Sequence, residues 1–262
     1  MEVVSILLAV LFGFSVGSFL NVLIIRGERG ESFRGRSYCE SCKTVLSAKE
    51  LIPVLSFIIQ KGRCRNCGAA LSWQYPIIEL GTAIFYGFAA WYVLPSLNFD
   101  VRSLLLLIAV FSGIGATIVI LVSDFRFEII PNGAVIVLLL IGFASIAIRY
   151  ASGEVIYRDV VTAIAFSAFF SLLWLISRGQ WMGLGDGKLI FPTSLILGYP
   201  ASLLAFLLSF WAGGIVGIFL IIAGKRSPQN HMPFGPFILL GGAIAYFFSE
   251  KILYLAGLTG IL

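Results

Sequence analysis

Eight apolar stretches separated by polar segments limit what this chain can become: Val3–Ile25, then 77–95, 103–123, 130–148, 160–177, 188–200, 202–223 and 234–256. About 20 residues of helix cross the hydrocarbon core of a bilayer. A backbone in hydrocarbon must satisfy its own amides, and a single segment of this length does so only as a helix. Composition agrees, with 59% apolar and 12% charged residues against about 45–50% and about 25% in soluble domains. The fold class expected is an all-α integral membrane protein of about eight transmembrane helices. Segment 188–200 is shorter than the others and carries Pro192. A run of that length is more often re-entrant or buried than spanning, so the count of eight rests on parity.

Charge placement gives the threading. Glu2 is the only charge before the first run, and basic residues follow it. That is the reverse of a cleaved signal peptide and describes a retained first helix with its N-terminus outside. Eight spans from that start put 26–76, 123–129, 178–188 and 224–233 inside, with 14 Lys and Arg against four outside (Arg102, Arg149, Arg158, Lys251). Basic residues favour the cytoplasmic side. The expected organisation is therefore a first helix over 1–25, a cytoplasmic cysteine loop over 26–76 and a polytopic membrane core over 77–262. The net charge of +5 reflects this bias and gives no reason to expect a nucleic-acid partner. Small-residue patterns at Gly13–Gly17 and at Gly213, Gly214 and Gly217 read as close helix packing.

All four cysteines fall in the 26–76 loop, as Cys39-x-x-Cys42 and Cys64-x-x-Cys67 with 21 residues between the pairs. This spacing is a zinc-ribbon pattern. Four thiolates suit the tetrahedral preference of Zn²⁺, and such a tetrad has no open position for chemistry, so the metal is structural. Two disulfides are the alternative, disfavoured where thiols stay reduced. The apolar residues between the pairs are too few to fold alone, and metal binding can supply about 10–16 kcal/mol. The stretch 47–60 is a candidate to lie on the membrane surface. The nine basic residues of the loop either hold it to anionic headgroups, at about 1 kcal/mol each, or act only as topology determinants.

Only four aspartates occur: Asp100, Asp124, Asp159 and Asp186. The threading puts Asp124 and Asp186 on one face and the other two on the opposite face. Each of the first pair has a bland reading, Asp186 as a helix N-cap and Asp124 as a turn residue paired with Arg126. Gly183, Gly185 and Gly187 around Asp186 favour more, because glycine lets another backbone approach closely. Two carboxylates brought together do not both ionise readily and share a proton. The ionised one can then draw a proton from water while its partner donates to a scissile carbonyl. The single histidine, His231, excludes most Ser-His and Cys-His schemes.

The ordered set of motifs resembles the type IV prepilin peptidases, the bifunctional leader peptidase/N-methyltransferases of pilus, type II secretion and competence systems. It comprises Gly17-Ser-Phe-Leu-Asn21 with Arg26, both cysteine pairs, Tyr75-Pro-Ile-Ile-Glu79 and Asp124 seven residues before Pro131. Gly183-Leu-Gly-Asp186-Gly-Lys and Pro233-Phe-Gly-Pro-Phe237 complete it. The resemblance implies an aspartic endopeptidase of the bacterial inner membrane, with Asp124 and Asp186 as its catalytic pair. Its substrate would be a prepilin or pseudopilin helix, cut after its basic leader at the cytoplasmic face. It also implies methylation of the new N-terminus from S-adenosylmethionine. No nucleotide-binding fingerprint marks the methyl-donor region, for which Gly62 and Glu79 are the candidates. Asn132 after Pro131 departs from the acid usual in the family, and Trp181-Met-Gly is close to its usual Gly-Met-Gly. Two other classes remain open from the residues alone. One is an intramembrane protease of presenilin type; the other is a transporter with an aspartate proton relay.

Overall fold

The computed structural model describes residues 2–96, 100–180, 182–224 and 233–255. His231 and Trp181, and the basic residues Lys225 and Arg226 counted on the inner side, lie outside these. The described secondary structure is helical: α1 (Glu2–Glu28), α2 (Leu55–Ile59), α3 (Gln74–Val93), α4 (Val101–Phe127), α5 (Asn132–Ala151), α6 (Tyr157–Ser177), α7 (Leu184–Leu197), α8 (Ala201–Ile222) and α9 (Gly235–Leu255). Seven of these are long and apolar enough to cross a membrane. The exceptions are the five-residue α2 and the 14-residue α7. The apolar stretch at 188–200 is therefore a short helix that begins earlier, at Leu184, and at about 1.5 Å per residue is about 21 Å long.

The chain forms two compact units, Met1–Val119 and Ile120–Leu262. In the first, α1 and α3 run antiparallel in close contact. A Cβ at Gly13 would lie 2.7 Å from the Ala83 backbone, and one at Gly17 the same distance from that of Glu79. One turn further along, Asn21 donates to the Tyr75 carbonyl, 3.3 Å away, and accepts from Gln74 at 3.3 Å. The small-residue pattern thus sets the approach, and Asn21, buried between the two helices, has its amide satisfied across the helix pair. Buried Arg26 donates to the carbonyls of Ser32, Arg34 and Arg36, wrapping the chain after α1 around one guanidinium.

In the second unit α7 is the central element. Gly187 lets it pack on α6 beside Ser171 and Ser167, Gly142 of α5 packs on Pro192 and Leu195, and Gly242 of α9 meets Thr193. The burial of most of its length against α5, α6 and α9 explains why so short a helix can sit among spans. The length rule for a span assumes lipid on its flanks. At the C-terminal end of α7, Arg149 pairs with Asp159 at 3.2 Å and also donates to the Leu195 carbonyl. Asp159 in turn accepts the Tyr199 amide at 2.7 Å. This clasp ties α5, α6 and α7 together at the end away from Asp186. Gly213 of α8 has a different use from the one the sequence pattern suggests: it seats the Phe234 ring, while a Cβ at Gly214 would meet nothing.

Candidate active site and cysteine cluster

Asp124 stands four residues from the end of α4, which closes at Glu128 in a left-handed conformation (φ 55°). The Glu128 amide donates to the Asp124 carbonyl at 2.9 Å. The side chain reaches the first residue of α9, where the Gly235 amide donates to Asp124 Oδ2 at 2.9 Å. The first amides of a helix have no intrahelical acceptor, and the helix dipole adds positive potential there. Pro233 and Pro236 flank this glycine, so the last apolar run opens with one free, well-aimed N–H. A Cβ at position 235 would stand 2.6 Å from Asp124 Oδ2, so the carboxylate occupies the space that a side chain would need.

Asp186 has the equivalent setting at α7. It is the third residue of the helix, and its Oδ2 accepts the Gly183 amide at 3.2 Å. The N-cap position itself belongs to Gly183. Both carboxylates therefore sit at helix N-termini, on two helices that run the same way through the unit. Ile130 lies between them: a Cβ at Gly185 would be 3.1 Å from the Ile130 side chain, and one at Gly235 would be 3.4 Å from it. Asp124 and Asp186 are each 4% exposed. Asp159 is in the clasp described above, and Asp100 accepts the Ser103 amide at the start of α4. Of the four aspartates only Asp124 and Asp186 share one site. The role of Gly235 was not assigned from sequence. Its signal was a glycine between prolines at the start of an apolar run, the signature of a helix N-terminus.

The four cysteines also converge. Each pair forms a tight reversed turn: Cys39 N–H bonds the Thr44 carbonyl and Cys64 N–H the Ala69 carbonyl, both at 2.9 Å. Lys43 and Gly68 take the left-handed positions (φ 57° and 71°). All four sulfurs lie within 4.8 Å of one another, with Cys39 to Cys67 at 3.9 Å and Cys42 to Cys64 at 4.0 Å. A disulfide needs about 2.05 Å. A tetrahedral site with Zn–S bonds of about 2.3 Å puts its sulfurs about 3.8 Å apart, so the cluster has the dimensions of a metal tetrad. Thr44 and Asn66 beside Cys42 pull its thiol down to about 5, while Cys67 in the same cluster is pushed up to about 11.

Gly62 and Glu79, the candidates for the methyl-donor region, both border α2. Gly62 ends it in a left-handed turn against the Phe57 ring. Glu79, buried in α3, accepts the Val54 amide ahead of α2 at 2.7 Å.

Comparison with known proteins gives the family. Residues 11–93 match the family model described as Bacterial Peptidase A24 N-terminal domain, and residues 111–218 match that of the Type IV leader peptidase family. A Bacillus subtilis (strain 168) protein named prepilin leader peptidase/N-methyltransferase is 31% identical over 93% of this chain and 94% of its own length. Proteins of the same name from Legionella pneumophila and Aeromonas salmonicida (strain A449) are 28% and 30% identical. Each alignment covers at least 93% of this chain and 91% of the relative. No solved structure matches the chain. The likeness extends over nearly the whole of both units, and on that breadth the chain belongs to the type IV leader peptidase family.

Proposed function

We propose that this protein is a multi-pass enzyme of the bacterial inner membrane. It removes the leader of type IV prepilin-like proteins by aspartic chemistry at the cytoplasmic face and then methylates the new N-terminus. The observation that carries the peptidase half is the joint burial of Asp124 and Asp186 at the N-termini of α9 and α7. Each backbone amide holds one oxygen of its carboxylate and leaves the other for water or substrate. Two carboxyl groups brought together during the reaction share a proton. The ionised member removes a proton from water as the oxygen attacks the scissile carbonyl, and the protonated member donates to the carbonyl oxygen. The C–N bond then breaks as the leaving nitrogen takes a proton from the pair, giving a leader carboxylate and a free amine. Gly183, at the N-cap of α7, carries no side chain beside Asp186, which leaves room for a substrate backbone to approach that carboxylate. The 14 to four bias of basic residues supports the cytoplasmic placement.

The relatives' shared name supports the methyl-transfer half. S-adenosylmethionine would supply an electrophilic methyl group for the new amine. Zn²⁺ in the cysteine tetrad would be structural, since four thiolates leave no open position.

The test uses the full chain in proteoliposomes with a prepilin-like substrate and S-adenosylmethionine, with mass spectrometry of the product. The expected product has lost its leader and gained one CH₂ at the new N-terminus. An uncut substrate overturns the peptidase assignment. A cut but unmethylated product overturns the methyltransferase assignment alone.

A further inference from the structure

The short α2 helix presents apolar side chains to the outside. Leu51 and Ile52 of the preceding turn and Leu55, Ile58 and Ile59 of α2 are all exposed, the last two by 64% and 58%. Trp73, just before α3, is 70% exposed. A free apolar patch of this kind on a helix so short invites a partner, and three observations identify it.

The first is depth. At 20 residues and about 1.5 Å each, α3 is about as long as the hydrocarbon core is thick, so Gln74 and Val93 mark its two boundaries. Glu79 lies five residues in, about 7–8 Å along the axis. Its carboxylate holds the Val54 amide at the start of α2, and Phe57 of α2 packs on Trp73 with ring centroids 4.9 Å apart. Helix α2 is thus tied to the first turns of a membrane span. The second is continuity. Ile77, Leu80 and Ile84 of α3 are exposed along the span, as side chains that face acyl chains would be. The third is charge. Lys49, Lys61, Arg63 and Arg65 flank the apolar residues in sequence and are exposed. Cations bordering an apolar helix face suit an interface with anionic headgroups, and Lys stems can snorkel past apolar neighbours. Trp favours the same boundary.

We infer that α2 and the turn before it form an interfacial foot, inserted in the bilayer boundary at the Gln74 end of α3 and flanked by headgroup-binding Lys and Arg. The foot is covalently continuous with the second cysteine turn, since α2 ends at Ile59 and Cys64 follows five residues later. It therefore holds the cysteine cluster against the membrane.

The experiment places the photo-crosslinker p-benzoylphenylalanine at Ile58, Ile59, Ile84 or Arg34 of the full chain. The chain is reconstituted in vesicles of phosphatidylethanolamine and phosphatidylglycerol, and adducts are read by mass spectrometry. Ile84 reports lipid, and Arg34 reports the water-facing part of the same loop. Positions 58 and 59 should give phospholipid adducts at yields near that of Ile84 and about tenfold above Arg34. Yields at 58 and 59 no higher than at Arg34, with Ile84 labelled, overturn the inference. Adducts only to a second copy of the chain, or only to added prepilin-like substrate, also overturn it. All four probes replace exposed side chains, so the fold is preserved and the comparison holds independently of any activity.

Discussion

Asp124 has its position from an atom that sequence reading passed over, the Gly235 amide nitrogen. Position 235 must be glycine for a spatial reason: any Cβ there would stand 2.6 Å from Asp124 Oδ2. Gly235→Ala should therefore displace the carboxylate and leave α9 intact, because alanine suits a helix start. A misplacement of about 1 Å at a reacting group can cost about 100-fold in rate. Leader cleavage by Gly235→Ala should fall by about that factor, with a melting temperature close to that of the parent protein. Cleavage at the parent rate would contradict the geometry. The two acids themselves were legible because aspartate is scarce in this chain and glycines surround Asp186. Their neighbours were not legible. A backbone amide carries no residue signature, and the Arg149–Asp159 clasp joins positions that hydropathy reads as two unrelated loop charges.

At the scale of elements, length and hydropathy located the spanning helices to within a few residues. Lipid contact imposes length directly. They failed to define α7, which is short because protein surrounds it, and they gave no helix at 55–59, where five residues are too few to show a period. The cysteine module was legible in full: spacing alone indicated convergence, and the sulfurs lie at the separations a tetrad requires. Its turns carry little apolar packing, so the metal should supply most of its stability. Changing all four cysteines to serine should abolish bound zinc, measured by elemental analysis. It should also impair methylation or substrate docking more than the hydrolytic step. Full rates of both reactions in the metal-free variant would remove the module from function.

On the scale of the whole molecule, the two units divide the proposed work. The first contains the cysteine cluster, its α2 support and the α1–α3 pair; the second contains both acids and the helices that position them. The charge count predicts which end of the bundle faces the cytoplasm; in the second unit α5, α7 and α9 run in one direction, with Asp124 and Asp186 at the end where they start. The account depends above all on those two carboxylates working as one unit. Groups that act together are strongly non-additive when removed. The most direct measurement is the rate of leader cleavage by Asp124→Asn, Asp186→Asn and the double variant. Each single change should lower the rate by about 10²–10⁴-fold, and the double variant should be no slower than the slower single one. A single variant that keeps the parent rate, or two losses that multiply in the double variant, would show that the acids do not act together.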